Sequence, residues 1–315
     1  MSEYYVAWWN LENLFDLETA LRSDKLKRTI QKELKGWDQN ILNNKLSQLS
    51  KIILQMNEQK GPDILGVCEV ESKSVLKKLV DKINTPQRKY SIAHEDTNDG
   101  RGIDVAFIYD SNKFVVKRQF SQWIVRRNAT RDIFQVNLKI KRTNTELVLV
   151  GNHWPARIGG VRESEPYRII AAETLSYFHQ RIAEEMGKDT PILIMGDFND
   201  EPFNRSVTDY ALSTNKSDKL KKARNPKLFN LMWKLLAQGE ATHYYTDGEI
   251  LDQFMISKGF LFNNSKLSIN NESVKIEKFP EMTKNGKPQR FGRPAKNYNE
   301  NGFSDHFPIS LIIHR

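Results

Sequence analysis

The chain reads as an α/β protein: a four-layered α/β sandwich in which two packed mixed β-sheets are flanked by helices. Three observations predict this. Short apolar runs bounded by polar or turn residues recur along the whole chain and read as mostly buried strands. Two segments instead carry one apolar stripe at helical period. Finally, the runs over 133–140 and 146–152 are joined by the polar turn Lys141 to Thr145, and such a hairpin argues against a purely parallel, doubly wound sheet.

In chain order, Tyr4 to Trp9 is the first strand, followed by a helix whose stripe is Leu42, Leu46, Leu49, Ile53 and Met56. Asp63 to Val70 and Ile103 to Tyr109 are the next strands, and Phe134 to Ile140 with Leu147 to Gly151 form the hairpin. A second helix presents Ile169, Ala172, Leu175, Phe178 and Ile182 and is entered by Pro166 near its first turn. Ile192 to Gly196, Leu251 to Ser257 and Phe307 to Ile313 complete the strands. Three polar, mostly basic segments, 16–37, 214–227 and 263–301, interrupt this series. They read as loops or small excursions on one domain spanning 1–315, because none is rich enough in Pro, Gly and Ser to demand a linker.

Composition excludes collagen-like and disordered classes: 39% of the 315 residues are hydrophobic and 28% charged. The formal net charge of +9 favours a polyanionic partner such as nucleic acid. Cys68, the single cysteine, forbids an intrachain disulfide and points to a reducing, cytoplasmic setting. No apolar stretch reaches the roughly 18 residues of a membrane span. Nothing in the sequence identifies a protein partner.

Polar clusters recur where the strands end. Asn10 and Glu12 follow the first; Glu69 and Glu71 the second; Asn152 and His153 close the hairpin; Asp197, Asn199 and Asp200 follow the Ile192 run. Asp252 lies within a strand, and Asp305 and His306 precede the last. Open α/β folds build sites at such termini. Phosphate ester hydrolysis needs a phosphoryl oxygen neutralised, a water oriented and a leaving oxygen stabilised; carboxylates on Mg²⁺ or Mn²⁺, with His and Asn, meet these needs. Zinc chemistry would want more clustered histidines than the six present.

The segments WNLEN, DILGVCEVE, RGIDVAFIYD, GNHWPAR, LIMGDFNDEP, LDQFMIS and FSDHFPI run from residue 9 to 309. Through them the chain resembles the endonuclease/exonuclease/phosphatase superfamily, of deoxyribonuclease I-like fold. The resemblance implies Glu69 as the main metal carboxylate, assisted by Asn10 and Asp305. Glu12 stands where many relatives carry Asp, which places it behind the metal ligands. It further implies that Asp197 positions or deprotonates the attacking water, that Asn199 binds a phosphoryl oxygen or holds that water, and that His306, oriented by Asp252, stabilises transition-state charge. In some relatives the His is itself the base, so either Asp197 or His306 takes the proton. His153 stands as a donor to the leaving oxygen, with Glu95 its partner. Arg101, Arg157 and Arg168 are candidate phosphate clamps and Asn152 a substrate-binding amide.

Residues 216–227 carry six basic residues against one acid, and Lys275 to Lys296 carry seven against two. In the family such insertions rim the mouth of the site, so these can follow a nucleic-acid backbone, DNA rather than RNA. Trp37, Trp123, Trp154, Phe291 and Tyr298 supply rings for stacking. Two rival functions use the same residues: a phosphatase or phosphodiesterase on a phospholipid headgroup, inositol phosphate or nucleotide, and a non-catalytic nucleic-acid-binding module.

Overall fold

The computed structural model describes residues 2–97, 99–126, 130–262 and 265–315. The first half of the chain forms β1 (Glu3–Leu14), α1 (Asp24–Leu34), α2 (Gln39–Gln59), β2 (Ile64–Val70), α3 (Lys73–Ile83), β3 (Tyr90–His94), β4 (Asp104–Asp110), β5 (Phe114–Gln122), β6 (Ile133–Ile140) and β7 (Thr145–His153). There follow α4 (Val161–Met186), β8 (Ile192–Asp197), β9 (Ser213–Thr214), α5 (Ser217–Lys222), β10 (Leu228–Asn230), α6 (Trp233–Ala237), β11 (His243–Tyr244) and β12 (Gly248–Glu249). The chain ends with β13 (Asp252–Ile256), β14 (Ser268–Ile269), β15 (Lys275–Ile276), β16 (Thr283–Lys284), β17 (Lys287–Pro288) and β18 (Ile309–His314).

One sheet has the order β14-β18-β1-β2-β4-β3, with β15 also on β18; the other runs β5-β6-β7-β8-β13-β10-β9. Both are mixed: β1 and β2 are parallel, as are β7 and β8, amid antiparallel neighbours. Trp8, Phe107 and Leu311 from the first sheet meet Phe134, Leu149, Met195 and Phe254 from the second in a common core. The outer face of the first sheet is covered by α1 to α3, and that of the second by α4. This is the four-layered sandwich that the alternating runs predict. Gly66 permits the close sheet approach: a Cβ there would lie 2.6 Å from the Trp8 ring and 2.9 Å from Met195 Sδ. Residues from the two ends of the chain pair directly, Glu3 opposite His314.

The structure adds α3, β3 and β5 to the expected elements and departs from expectation in three further places. α4 starts at Val161, a turn earlier than the Pro166 entry, capped by Gly160 and not by a side chain. Segment 16–37 holds a true helix, α1, whose N-cap Ser23 accepts from Leu26 N and whose buried face is only Ile30 and Leu34. Basic residues outnumber that narrow stripe, which is why it reads as loop. The basic stretch 216–227 sits at the wrong end of the second sheet: Arg224 and Lys227 border Ile192, Ser257 and Lys258. Ile192 opens β8 and Asp197 closes it, a separation of about 17 Å along the strand. This insertion therefore does not rim the site. Of the third basic segment, residues 263 and 264 lie outside the described residues.

Candidate active site

The two sheets converge on one polar centre. Strand register places His153, Asp197 and Asp252 in one row across β7, β8 and β13. In the other sheet, Asn10 on β1 pairs with Cys68 on β2, one residue before Glu69. Four non-glycine residues at this rim have left-handed backbone: Glu12 (φ 50), Asn13 (φ 58), Glu69 (φ 61) and Asn199 (φ 50). Such conformers cost about 1–3 kcal/mol each and persist where surrounding packing imposes them. At Glu12, Asn13 and Glu69 they coincide with register shifts in β1 and β2 that turn side chains out of the pleat toward the centre.

His306 and Asp252 form the tightest pair. Nδ1 of His306 lies 2.6 Å from Asp252 Oδ2, while Trp8 Nε1 donates to Asp252 Oδ1 at 3.0 Å. The other imidazole nitrogen faces Asp197 Oδ2 at 3.9 Å. Burial alone would depress His306, but the charges of Asp252, Asp197 and Asp305 and the bond to Asp252 hold it well above the usual histidine range. Burial pushes the Asp197 carboxyl up to about 7, with Asp252 and Glu69 adding to the rise and His306 opposing it. Asp197 accepts from Asn10 Nδ2 (3.1 Å) and Asn199 N (2.9 Å).

His153 is held differently. Arg131 Nε donates to His153 Nδ1 at 3.2 Å, which leaves the proton of the neutral ring on Nε2, facing Glu69 Oε1 (3.6 Å) and Asp197 Oδ2 (3.8 Å). Burial, then the charges of Arg131, Arg101 and His306, hold it well below the usual histidine range. It is a neutral hydrogen-bond donor. Its partner is Arg131, not Glu95, whose carboxylate accepts from Gln119 at 3.1 Å. Nothing in the spacing around Arg131 signals this role.

Glu69 and Asp305 are the carboxylates that keep partial contact with solvent, with side chains 13% and 26% exposed. Glu69 Oε2 accepts from Asn13 N at 3.0 Å, and Asp305 lies 3.4 Å from Arg290. Asn10 adds an amide whose oxygen accepts Glu12 N at 3.0 Å. This all-oxygen set is of the kind that hard divalent cations prefer.

Glu12 lies behind these groups. Its carboxylate accepts from Arg290 Nε (2.8 Å), Phe291 N (2.7 Å) and Gly292 N (3.1 Å), fastening the 290–292 loop to the site. Lys45, fully buried, donates to Phe303 O at 2.7 Å and lies 4.6 Å from the centre of the Phe291 ring. Burial brings it down to about 8, against the raising charges of Glu12, Asp305 and Glu69. The sequence does carry a signal for it, since a lysine three residues after Leu42 falls on the apolar face of α2. His243 is a further addition: its ring stands 4.6 Å from that of His306.

Several expected substrate contacts turn out to be supports. Arg168 is fully buried, with Nε 2.7 Å from Asp200 Oδ2, Nη1 donating to Ser164 Oγ (2.7 Å) and Nη2 to Val161 O (2.8 Å). Asn152 is also fully buried; it accepts from Trp154 Nε1 at 3.1 Å and donates to the carbonyl of Val150. Arg157 bonds Asn199 O (2.6 Å) and Glu249 and so anchors a loop. Asn199 donates to Trp154 O at 3.0 Å. Arg101 remains near the centre, its charge felt by His153 and Arg131. Of the aromatic candidates, Trp37, Trp154 and Phe291 are buried, and Trp123 is exposed.

A family model described as "Endonuclease/Exonuclease/phosphatase family" matches residues 5–315. A mannosyl-6-phosphatase from Bacteroides thetaiotaomicron is 18% identical, with 99% of this chain and 100% of that one covered and a TM-score of 0.60. A truncated TDP2 from Caenorhabditis elegans is 16% identical, covering 99% and 98%, with a TM-score of 0.58. The human Nocturnin catalytic domain is 18% identical, covering 99% and 94%, with a TM-score of 0.52. Comparison with curated protein sequences finds no match. At these identities the solved structures report the fold, and the family model reports the lineage: the chain belongs to the endonuclease/exonuclease/phosphatase family, whose members are phosphoric ester hydrolases.

Proposed function

We propose that the protein hydrolyses phosphate esters with the help of a divalent cation, Mg²⁺ or Mn²⁺. The observation that carries this reading is the convergence of the Asp252–His306 pair, Asp197 and His153 Nε2 on one side of Glu69. Glu69 and Asp305, with Asn10, would hold the cation, which when bound supplies charge neutralisation to the phosphoryl oxygens and a lowered water pKa. The chain's own groups do the rest. Asp197, raised toward neutrality and kept in place by Asn10 and the Asn199 amide, is the proton acceptor for an incoming water. His306, kept charged by Asp252, stabilises the negative charge that grows on the phosphoryl group. His153 donates its Nε2 proton as a hydrogen bond, fixed in that tautomer by Arg131.

A nucleic-acid phosphodiester, DNA before RNA, is supported by the basic wall on one side of the centre. Arg101 and Arg131 stand there, beside α1 with Lys25, Lys27, Arg28 and Lys32; Leu26 of α1 lies where a Cβ on Gly102 would be. A small organic phosphate is the second reading, favoured by the placement of 216–227 away from the site. Endonuclease action and a cytoplasmic setting belong to the first reading. No helix among the described residues is long and apolar enough to cross a membrane.

The test is a hydrolysis panel of plasmid DNA, single strands, RNA, phosphoinositides and small esters, with Mg²⁺ or Mn²⁺ and with EDTA. Cation-dependent release of phosphate or nicked strands is expected, with a steep salt dependence if the substrate is a polymer. No hydrolysis of any ester would refute the reading.

A further inference from the structure

Next to the catalytic centre lies a pocket of about 700 Å³, walled by the loop from Ala156 to Val161 and by the β11–β12 hairpin, with Glu201 in its lining. It is continuous with the centre on both walls. Arg157 bonds Asn199 O on one side; on the other, Tyr245 packs edge-on at 4.5 Å against His243, which stands against His306. The volume falls within the range of small-molecule sites.

Its lining has a definite chemistry. Tyr245 and Ile158 are 62% and 83% exposed, large apolar surfaces with nothing packed over them. The charged lining residues are Glu201, Asp247, Glu249 and Arg157. Arg157 is bound to Glu249 and Asn199 O and lies 3.6 Å from Asp200, so its charge is already matched. Burial first, then the charge of Glu249, push the Glu201 carboxyl upward. A second phosphate entering here would meet carboxylates without a free cation among the described lining residues. Its charge is the reverse of that around Arg101 and Arg131.

We propose that this pocket holds the uncharged, hydroxylated ring to which the scissile phosphate is attached. Tyr245 stacks on the ring's face and the carboxylates of Asp247 and Glu201 accept from its hydroxyls. The proposal rests on the phosphoesterase reading and narrows its substrate to esters of a sugar or a nucleoside, two sources of the same chemistry. A polyanionic strand, where it binds at all, runs along the opposite, basic wall.

The experiment measures kcat and KM of the full chain with Mn²⁺ for a hexose 6-phosphate, a nucleoside 5′-monophosphate and the ring-free ester glycerol 3-phosphate, together with inhibition by inorganic phosphate. Tyr245→Ala and Asp247→Asn, both at exposed positions, are compared with the parent chain. Tyr245→Ala should raise KM for the ring-bearing ester about tenfold with kcat little changed, and Asp247→Asn should raise it by a smaller factor. Glycerol 3-phosphate and inorganic phosphate should be unaffected. Whichever ring-bearing ester responds identifies the source. An unchanged KM for both ring-bearing esters, or an equal change for glycerol 3-phosphate, overturns the proposal. If the parent chain hydrolyses none of these three monoesters, calorimetric titration with the free hexose and nucleoside reads the pocket directly, and absence of binding overturns the proposal; the phosphoesterase reading fails separately, only if the polymer and phosphoinositide substrates are left uncut as well.

Discussion

Arg168 offers the sharpest test, because sequence and structure give it opposite jobs. A phosphate clamp would touch substrate, whereas the structure buries the guanidinium completely against Asp200, Ser164 and the Val161 carbonyl. Arg168→Met keeps most of the packing volume and removes the charge. Asp200, 1% exposed, is left with Ser206 Oγ at 2.5 Å and an Arg157 nitrogen at 3.6 Å. Removing one partner of a buried pair costs about 3–5 kcal/mol. With an unfolding entropy of about 2.1 cal/mol/K per residue, the 315-residue chain loses about 5–8 °C in melting temperature. Scanning calorimetry and steady-state kinetics on one preparation separate the two jobs. The expected outcome is that loss of melting temperature with KM little changed, and a partial recovery in Arg168→Met/Asp200→Asn, where no unpaired charge remains. A melting temperature within about 1 °C of the parent chain, together with a tenfold rise in KM, would refute the structural role.

Three further outcomes follow from the centre and from α4. Glu69→Gln should weaken Mn²⁺ binding, read by calorimetry, and lower kcat/KM by about a hundredfold or more, since it removes one of the two partly exposed carboxylates. His306→Ala and Asp197→Asn should abolish turnover while circular dichroism stays native; Asp252→Asn should cost about a hundredfold or more in kcat, because the imidazole loses the charge that keeps it protonated. His179, buried in α4, is brought by burial to about 4 from the usual 6.5. A group with depressed folded-state pKa contributes stability that is present above pH 6.5 and lost as pH falls toward 4, about 3 kcal/mol in all. His179→Leu should therefore show a smaller loss of unfolding free energy in urea between pH 7 and pH 4.5 than the parent chain.

The strands that build the centre were legible because they are buried on both faces: continuous apolar runs such as Ile192 to Gly196 have no other place in a two-sheet sandwich. The polar residues ending those runs were legible for the same reason, being abrupt. Elements with mixed character were not. β5, with the burial of a partly solvated edge, carries no clean alternation, and α1 keeps a helical period but buries only Ile30 and Leu34 among a majority of charged and polar residues. Among side chains, the motif positions Asn10, Glu69, His153, Asp197, Asp252 and His306 meet within one centre, although their roles rest on the experiments above. Arg131, Arg290 and His243 join them from segments with no recognisable spacing, and Lys45 from the apolar stripe of α2.

By itself the sequence determined the layer architecture, the lineage and the residue types that gather at the centre. All three depend on local pattern: periodicity sets which face is buried, and residue type sets what a group can bind or donate. Tertiary structure decided which charges face the centre. Arg168 and Asn152 sit inside motifs and are fully buried; residues 216–227 are strongly basic and lie about 17 Å along β8 from Asp197. Charge is screened over about 8–10 Å at ordinary ionic strength, so a cation acts through its position in space. Position in space is fixed by strand register and loop path, which no composition of a single segment encodes.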